Sequence, residues 1–469
     1  VPKLKTWQLT AGSAVAGLAL AAGAVAVAGP WDSGQRKAER ELAAAQDRTG
    51  GAHHQSPRPD AAEPDPAPSA RSVLGALGTA APPAGTDHLK DTLGPLLDSA
   101  ALGPLRTASV VDATTGKQLY GRGERTAMTP ASTVKIATTV AALSALGPDH
   151  RIATTVLAAP DGKRIVLKGG GDPTLEKENL RALAADTARA LRDRGAGPVS
   201  LSYDTTLYTG PDIHPIGEGN ENLARVTPLM VNEGRTDGTH SGIGDRTLDP
   251  AGDAARAFAA ELRTLGVELT GEPVSAKAPA DATPVAKSLS APLSALVERT
   301  LTHSDNDIAE ALARQTALAA GEEVSFAGAG KAVYDRLAKL DLPAEGLLTG
   351  AHFADGSGLD RNDRISAALL TALLTRAADP AHPELRPVLT GLPVAGFSGT
   401  LQSRYTGDAR GTGLVRAKTG TLSHLNTLAG TAVTKDGRLL AFAFLAGNTP
   451  TPGPAQKALD TLASALTAP

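Results

Sequence analysis

No cysteine occurs among the 469 residues, which excludes disulfides, thiol catalysis and cysteine-held metals. Aromatic residues make up only 3% of the chain, too few for a surface on which bases stack. The formal net charge of -3 leaves no basic footprint for nucleic acid. Ten histidines are present, but none falls in an H-E-x-x-H pair. G-x-S-x-G and G-x-x-x-x-G-K-[ST] are missing as well, which removes the α/β-hydrolase elbow and the phosphate-cradling loop. What is present is a chain long enough for two or three domains and three short polar motifs, each occurring once.

The motifs are Ser132-Thr133-Val134-Lys135, Ser304-Asp305-Asn306 and Lys418-Thr419-Gly420, in that order. Together they supply a nucleophilic hydroxyl, an amine that can deprotonate it, a polar bridge and a cationic anchor for a carboxylate. This is the equipment of an acyl-transferring serine enzyme that works without histidine. Ser132 follows Pro130 and opens an Ala/Val/Ile/Leu-rich run that stops at Gly147-Pro148, which predicts a helix beginning at the serine. Lys135 lies three residues on, so the hydroxyl and the amine share one helix face. Ser304-Asp305-Asn306 interrupts two apolar helical stretches, which predicts a loop. Lys418-Thr419-Gly420 lies in Val415–Leu422, which reads as a strand. Two more strands follow, 427–434 and 439–446, joined by a turn at 435–438.

Each motif also has a plainer use. Ser132 can cap a helix, Lys135 can be a solvated helix residue, Ser304-Asp305-Asn306 can cap a helix starting near Ile308, and Lys418 can be an exposed strand lysine. Those readings require four unrelated coincidences in one order, and context decides against them.

Lys3 and Lys5 precede an apolar stretch from Leu9 to Gly29. A charged start followed by such a stretch is an export signal. Ala26-Val27-Ala28 resembles a cleavage site, and the stretch is also just long enough to span a bilayer. Residues 1–30 are therefore read as a signal peptide or membrane anchor, and any membrane contact is expected through this segment alone. Residues 31–85 are rich in Pro, Ala and charge, as in Pro64-Asp65-Pro66-Ala67-Pro68, and read as a disordered spacer. A coil of about 50 residues spans on the order of 40 Å.

A catalytic domain is expected in two parts, 86–152 and 287–469, with an inserted domain at 153–286. The first part offers a helix (88–99) and a hairpin (108–112 and 118–122). The second offers helices near 293–300, 308–319, 328–340, 367–377 and 455–466. The hairpin and the strands around Lys418 are expected to join in one antiparallel sheet flanked by helices, an α+β fold of α/β/α sandwich type. The insertion offers strands at 164–168, 199–203 and 274–276 and a helix at 180–194. Gly169-Gly170-Gly171-Asp172-Pro173 has no following lysine and reads as a turn rather than a phosphate loop.

On these motifs, and on Gly170-Gly171-Asp172-Pro173-Thr174-Leu175, Asp355-Gly356-Ser357-Gly358-Leu359 and Leu392-Pro393-Val394-Ala395-Gly396, the chain from about Thr86 onward resembles a class C low-molecular-mass penicillin-binding protein. Such a protein is a D-alanyl-D-alanine carboxypeptidase/endopeptidase with the penicillin-binding/β-lactamase-like transpeptidase fold. An insertion between the first two motifs is also a family habit. The resemblance implies peptidoglycan stem peptides as substrates, β-lactam antibiotics as acylating inhibitors, and neither metal nor cofactor. It places the oxyanion on backbone N–H groups of Ser132 and Thr421. It gives Ser304 the transfer of a proton to the leaving amine and Asn306 the orientation of Lys135 and the substrate amide. Lys418 and Thr419 take the terminal carboxylate, and Gly420 lets the substrate lie close along the strand. Arg361 and Ser423 are candidates for lining the pocket of the stem-peptide side chain.

For Lys135 to act as base, a lysine of ordinary pKa near 10.4 must fall by roughly three units. Desolvation and repulsion from Lys418 are the expected causes. A serine β-lactamase or esterase on the same scaffold is the alternative enzyme. Class A β-lactamases share S-D-N but also need a glutamate for the deacylating water, and no E-x-x-x-N pattern lies between Asn306 and Lys418. A non-catalytic wall-located scaffold is the non-enzymatic alternative, and it gives no reason to keep Lys135 and Lys418.

Overall fold

The computed structural model describes residues 86–405 and 410–468. Residues 1–30 and the spacer at 31–85 lie outside the described residues.

Five strands form one wholly antiparallel sheet. Its order is Val415–Leu422, Leu425–Val433, Leu439–Gly447, Leu105–Asp112 and Gln118–Arg122. The last described strand thus pairs with the first, in the register Leu105↔Gly447 to Asp112↔Leu440. The alternation of side chains along Leu439–Gly447 explains how one strand serves two layers. Phe442 and Phe444 face a core closed by the helices Thr86–Leu97 and Pro452–Ala465. Ala441, Ala443 and Leu445 face the opposite core. That second core is built by the helices Lys135–Leu146, Leu293–His303, Asn306–Ala320, Phe326–Ala338 and Ala367–Ala378. The small Ala side chains let these helices approach the sheet closely. Each buried phenylalanine on the other face contributes about 2–3 kcal/mol.

Residues 153–289 build a second sheet. Its order is Val274–Ser275, Ser200–Asp204, Arg164–Lys168, Ala153–Ala158 and Thr283–Leu289. The first two pairings in this order are parallel, and the last two are antiparallel. The helices Lys177–Asp193 and Pro250–Thr264 pack with Val156, Ile165, Leu167 and Leu201 in one separate core.

The expected helices and strands of the first sheet are present within a few residues, and the α+β fold is the observed one. Two strands and one helix of the second sheet were not legible. Thr283–Leu289 carries a proline and is largely exposed, as an edge strand permits, so it shows no hydrophobic alternation. Ala153–Ala158 is short and half-buried. The helix Pro250–Thr264 did carry a signal: Asp249 caps Gly252 N–H and a proline follows at the first position.

Candidate active site

The serine motif departs from the expected regular helix. Ala131–Val134 form a tight 3₁₀ turn, and the α-helix begins only at Lys135. Ala131 sits at a φ of 48°, an uncommon conformation for a residue with a side chain. Pro130 carbonyl accepts from the hydroxyls of Thr133 and Thr427, both at 2.7 Å, which ties the turn to the sheet. Two glycines make room for it. A Cβ on Gly358, at a φ of 84°, would lie 2.1 Å from the carbonyl oxygen of Ala131. A Cβ on Gly420 would lie 2.0 Å from Thr427 Oγ1 and 2.8 Å from Pro130 O.

Lys135 is completely buried, and its Nζ has three neighbours. They are Ser132 Oγ at 3.0 Å, Asn306 Oδ1 at 2.7 Å and the carbonyl oxygen of Ser357 at 2.5 Å. Burial pushes Lys135 down to about 8, against the opposing pull of Asp355, Glu310, Asp305 and Asp363. The expected repulsion between the two lysines falls on Lys418 instead. It is held well below its ordinary value by burial first, then by the charge of Lys135 and of Arg404.

Ser304 and Asn306 come from a junction rather than a free loop. Ser304 ends the helix Leu293–His303 in a left-handed conformation, φ 59° and ψ 37°. Asp305 then caps the next helix by accepting from Ile308 N–H at 3.0 Å, and Asn306 is that helix's first residue. The left-handed turn brings Ser304 Oγ to 2.9 Å from Lys418 Nζ, which also donates to Thr419 O at 2.8 Å. Thr419 Oγ1 lies 2.9 Å from Thr400 Oγ1, and Thr421 Oγ1 accepts from Gln456 Nε2 at 3.3 Å. The structure thus brings Ser132, Lys135 and Asn306 into one cluster and Ser304, Lys418 and Thr419 into another. Gly420 packs against the serine turn. Arg361 and Ser423 form a third group: Arg361 Nη2 donates to the carbonyl of Ser423 at 3.1 Å. Both line a cleft of about 640 Å3 with Thr129, Arg364 and His424.

Below Lys135 lies a buried acidic cluster that the motifs did not announce. Glu310 Oε1 accepts from the N–H groups of Gly356 and Ser357, both at 3.0 Å. Burial raises Glu310 to about 7, with Asp355 adding to the shift. Asp355 accepts from Gly358 N–H at 2.6 Å, Asp360 N–H at 2.7 Å, Ser357 Oγ at 3.1 Å and His214 Nε2 at 2.9 Å. His214, Glu310 and Asp355 have ligand atoms close enough to share a metal ion. Glu310 Oε1, both oxygens of Asp355 and both ring nitrogens of His214 are nevertheless already engaged in hydrogen bonds, so the donor set fits a hydrogen-bonded network better than a cation. Glu233, Asp305 and Asp307 form a second such group, and there Arg235, Arg246 and Arg299 supply the positive charge.

Comparison with known proteins follows the same outline. The chain matches the D-Ala-D-Ala carboxypeptidase 3 (S13) family over residues 90–242 and 236–466. It is 36% identical over 378 residues to carboxypeptidase DacB of Mycolicibacterium smegmatis, covering 77% of this chain and 80% of that one. It is 29% identical to the D-alanyl-D-alanine carboxypeptidase of Actinomadura sp. strain R39, covering 83% and 86% of the two chains. In fold it is similar to penicillin binding protein 4 of Haemophilus influenzae, with a TM-score of 0.65 at 21% identity over 82% of this chain and 98% of that one. The chain belongs to the D-Ala-D-Ala carboxypeptidase (S13) family.

Proposed function

We propose that this family member hydrolyses the terminal D-Ala-D-Ala bond of peptidoglycan stem peptides through an acyl-enzyme on Ser132, with Lys135 as base. The environment of Lys135 Nζ carries the reading. A neutral amine has two N–H donors and one lone pair. Asn306 Oδ1 and Ser357 O can only accept, so they take both protons. The lone pair is left facing the Ser132 hydroxyl at 3.0 Å. Ser132 Oγ attacks the carbonyl carbon between the two D-alanines and its proton passes to Lys135. The developing oxyanion takes hydrogen bonds from the backbone N–H groups of Ser132 and Thr421. The C–N bond breaks, the leaving amine takes a proton through Ser304, and D-alanine departs. Water then cleaves the ester and restores Ser132. Lys418 and Thr419 hold the terminal carboxylate, and Arg361 and Ser423 line the side-chain pocket. A β-lactam presents an equivalent amide, whose ring opening leaves an ester on Ser132.

The same reading takes residues 153–286 as an inserted domain, on the strength of a second sheet with its own core. It places the protein outside the cytoplasm by way of residues 1–30. No helix among the described residues is long and apolar enough to cross a membrane. The β-lactamase alternative differs in the lifetime of the penicilloyl adduct, which a carboxypeptidase holds far longer. Cross-linked muropeptides are the substrate that tests endopeptidase action.

The deciding experiment incubates the protein with a D-Ala-D-Ala peptide and measures free D-alanine. In parallel, a fluorescent penicillin is used to label the protein and the labelled peptide is sequenced. D-Alanine release with the label on Ser132 is expected. A label on any other residue overturns the assignment.

A further inference from the structure

We propose that residues 212–226, a strap from the inserted segment, are a positioning part of the active site, and that His214 is a positioning residue for Lys135. The inference rests on the role given to Lys135 above. Lys135 Nζ has two acceptors besides the serine, Asn306 Oδ1 and Ser357 O. The same strap reaches both of them.

One end of the strap reaches Asn306. Its Nδ2 donates to the main-chain carbonyl of Asn222 at 3.0 Å. A carbonyl can only accept, so this contact decides which way the amide of Asn306 is turned and leaves Oδ1 for Lys135. Asn222 is held in turn. Asn220 Oδ1 accepts from the N–H groups of Asn222 and Leu223, at 2.9 and 3.0 Å. Asp307, next to Asn306, accepts from Ala224 N–H at 2.9 Å.

The other end reaches Ser357 through Asp355. The His214 ring is buried, with Phe326 edge-on at a centroid distance of 5.3 Å. Ile216 N–H donates to Nδ1 at 3.2 Å, so the ring proton sits on Nε2 and points at Asp355 Oδ2, 2.9 Å away. Asp355 folds the loop back on itself through Gly358 N–H and Asp360 N–H, and that loop presents the Ser357 carbonyl to Lys135. The strap is closed at its base by Val226 N–H donating to Asp212 O at 2.7 Å. It therefore acts as one piece, fixing both acceptors that aim the lone pair of Lys135 at Ser132.

The test uses the full chain and a fluorescent penicillin, with second-order acylation rates measured across pH. His214→Ala removes the donor to Asp355. His214→Gln returns an amide N–H near the position of Nε2. Asn220→Ala loosens the other end without touching any group at the serine. Acylation is expected to fall about tenfold or more in His214→Ala and in Asn220→Ala, as misplacement of a reacting group does, with His214→Gln recovering most of the loss. The loss is expected in the limiting acylation rate rather than in the half-saturating penicillin concentration. In His214→Ala the acid limb of the pH profile should move to lower pH, because an ammonium that has lost a fixed acceptor gives up its proton more readily. The charged groups facing Lys135 in that profile are Asp355, Glu310, Asp305 and Asp363, with the cation Lys418 opposing them. Thermal melting separates folding from positioning. If His214→Ala fails to fold, Asn220→Ala and His214→Gln decide the matter by the same readouts. Folded variants that acylate at the parent rate with the parent pH profile overturn the strap's role and leave the reading of Ser132 intact. A parent protein that takes no label overturns that reading itself.

Discussion

Lys418 Nζ lies 2.9 Å from Ser304 Oγ, so the site holds a second serine–lysine pair beside Ser132 and Lys135. The two pairs are built differently. Lys135 is surrounded by acceptors and lies above an acidic cluster, whereas Lys418 has a hydroxyl, one carbonyl and two cations near it. The proposed mechanism gives these identical side chains different work, and substitution by arginine separates them. Arginine stays charged at any working pH. Lys135→Arg is expected to abolish acylation by fluorescent penicillin, since no lone pair remains to take the serine proton. Lys418→Arg keeps a cation for the carboxylate and is expected to retain measurable labelling. Equal tolerance at both positions would remove the basis for calling Lys135 the base.

The acylation rate should rise with pH through about 8, the value to which burial lowers Lys135, because only the neutral amine accepts the proton. Stability has a related dependence. Between about 8 and the ordinary lysine range, the unfolded chain holds a proton that the folded chain has released, so this group makes stability rise with pH in that window. In Lys135→Met that contribution should vanish. Stopped-flow acylation and urea melts at matched pH values check the two statements. A rate independent of pH from 6 to 9, a range of about three units chosen to bracket the shift, would contradict the assignment.

How much of this was legible in the sequence depends on what each residue's signal is made of. Ser132 and Lys135 were readable because their spacing is local and helical. Ser304 and Lys418 were readable as motifs, but their contact spans 114 residues and no periodicity encodes it. Asp355 lay in a family-like stretch, yet its partner His214 sits in a region of glycine, proline and asparagine with no pattern. Glu310 was hidden in plain view. It lies four residues before Arg314 on an otherwise Ala/Leu-rich helix face, and such a pair is usually solvated. Here both are buried, and Arg314 lies over the ring of Phe326 at 4.2 Å. The repulsion expected to lower Lys135 was legible in principle, but which lysine would carry it depends on the carboxylates beneath Lys135, which only the fold assembles.

Gly420→Ala should separate packing from chemistry. The added methyl meets Thr427 Oγ1 and Pro130 O, the groups that tie the serine turn to its strand. Overpacking of this kind costs about 1–3 kcal/mol. A displacement at this seam also moves Ser132 relative to Thr421. The expected result is a folded protein with a lower melting temperature and a disproportionate loss of acylation. Parent-level acylation in the variant would show that the contact between strand and turn does not set the geometry.

Asp305→Ala should act through both cap and site. The side chain caps the helix Asn306–Ala320, and loss of such a cap costs about 1 kcal/mol. Ser304 and Asn306 flank it, Ser304 bonded to Lys418 and Asn306 to Lys135, so fraying of this turn loosens both contacts. Acylation should fall by more than the melting temperature alone accounts for. Asp305→Asn keeps a capping oxygen and should recover most of the activity, which a purely electrostatic role for Asp305 would not allow.

The substrate's carboxylate should change the charge state of the site. Free Lys418 is held well below its ordinary value by burial and by the charge of Lys135. A carboxylate arriving beside it favours the charged form and draws a proton onto it. Acylation by a substrate with a free carboxylate should therefore weaken toward alkaline pH, because proton uptake by Lys418 then opposes binding more strongly. The corresponding amide substrate should lack that alkaline limb. Converting the carboxylate to an amide should also hurt the parent enzyme more than it hurts Lys418→Ala. The measurement is a double cycle of second-order acylation rates over protein and substrate changes. Coupling between the two changes, together with loss of the alkaline limb in Lys418→Ala, is the expected outcome. Purely additive losses would show that Lys418 does not hold the carboxylate.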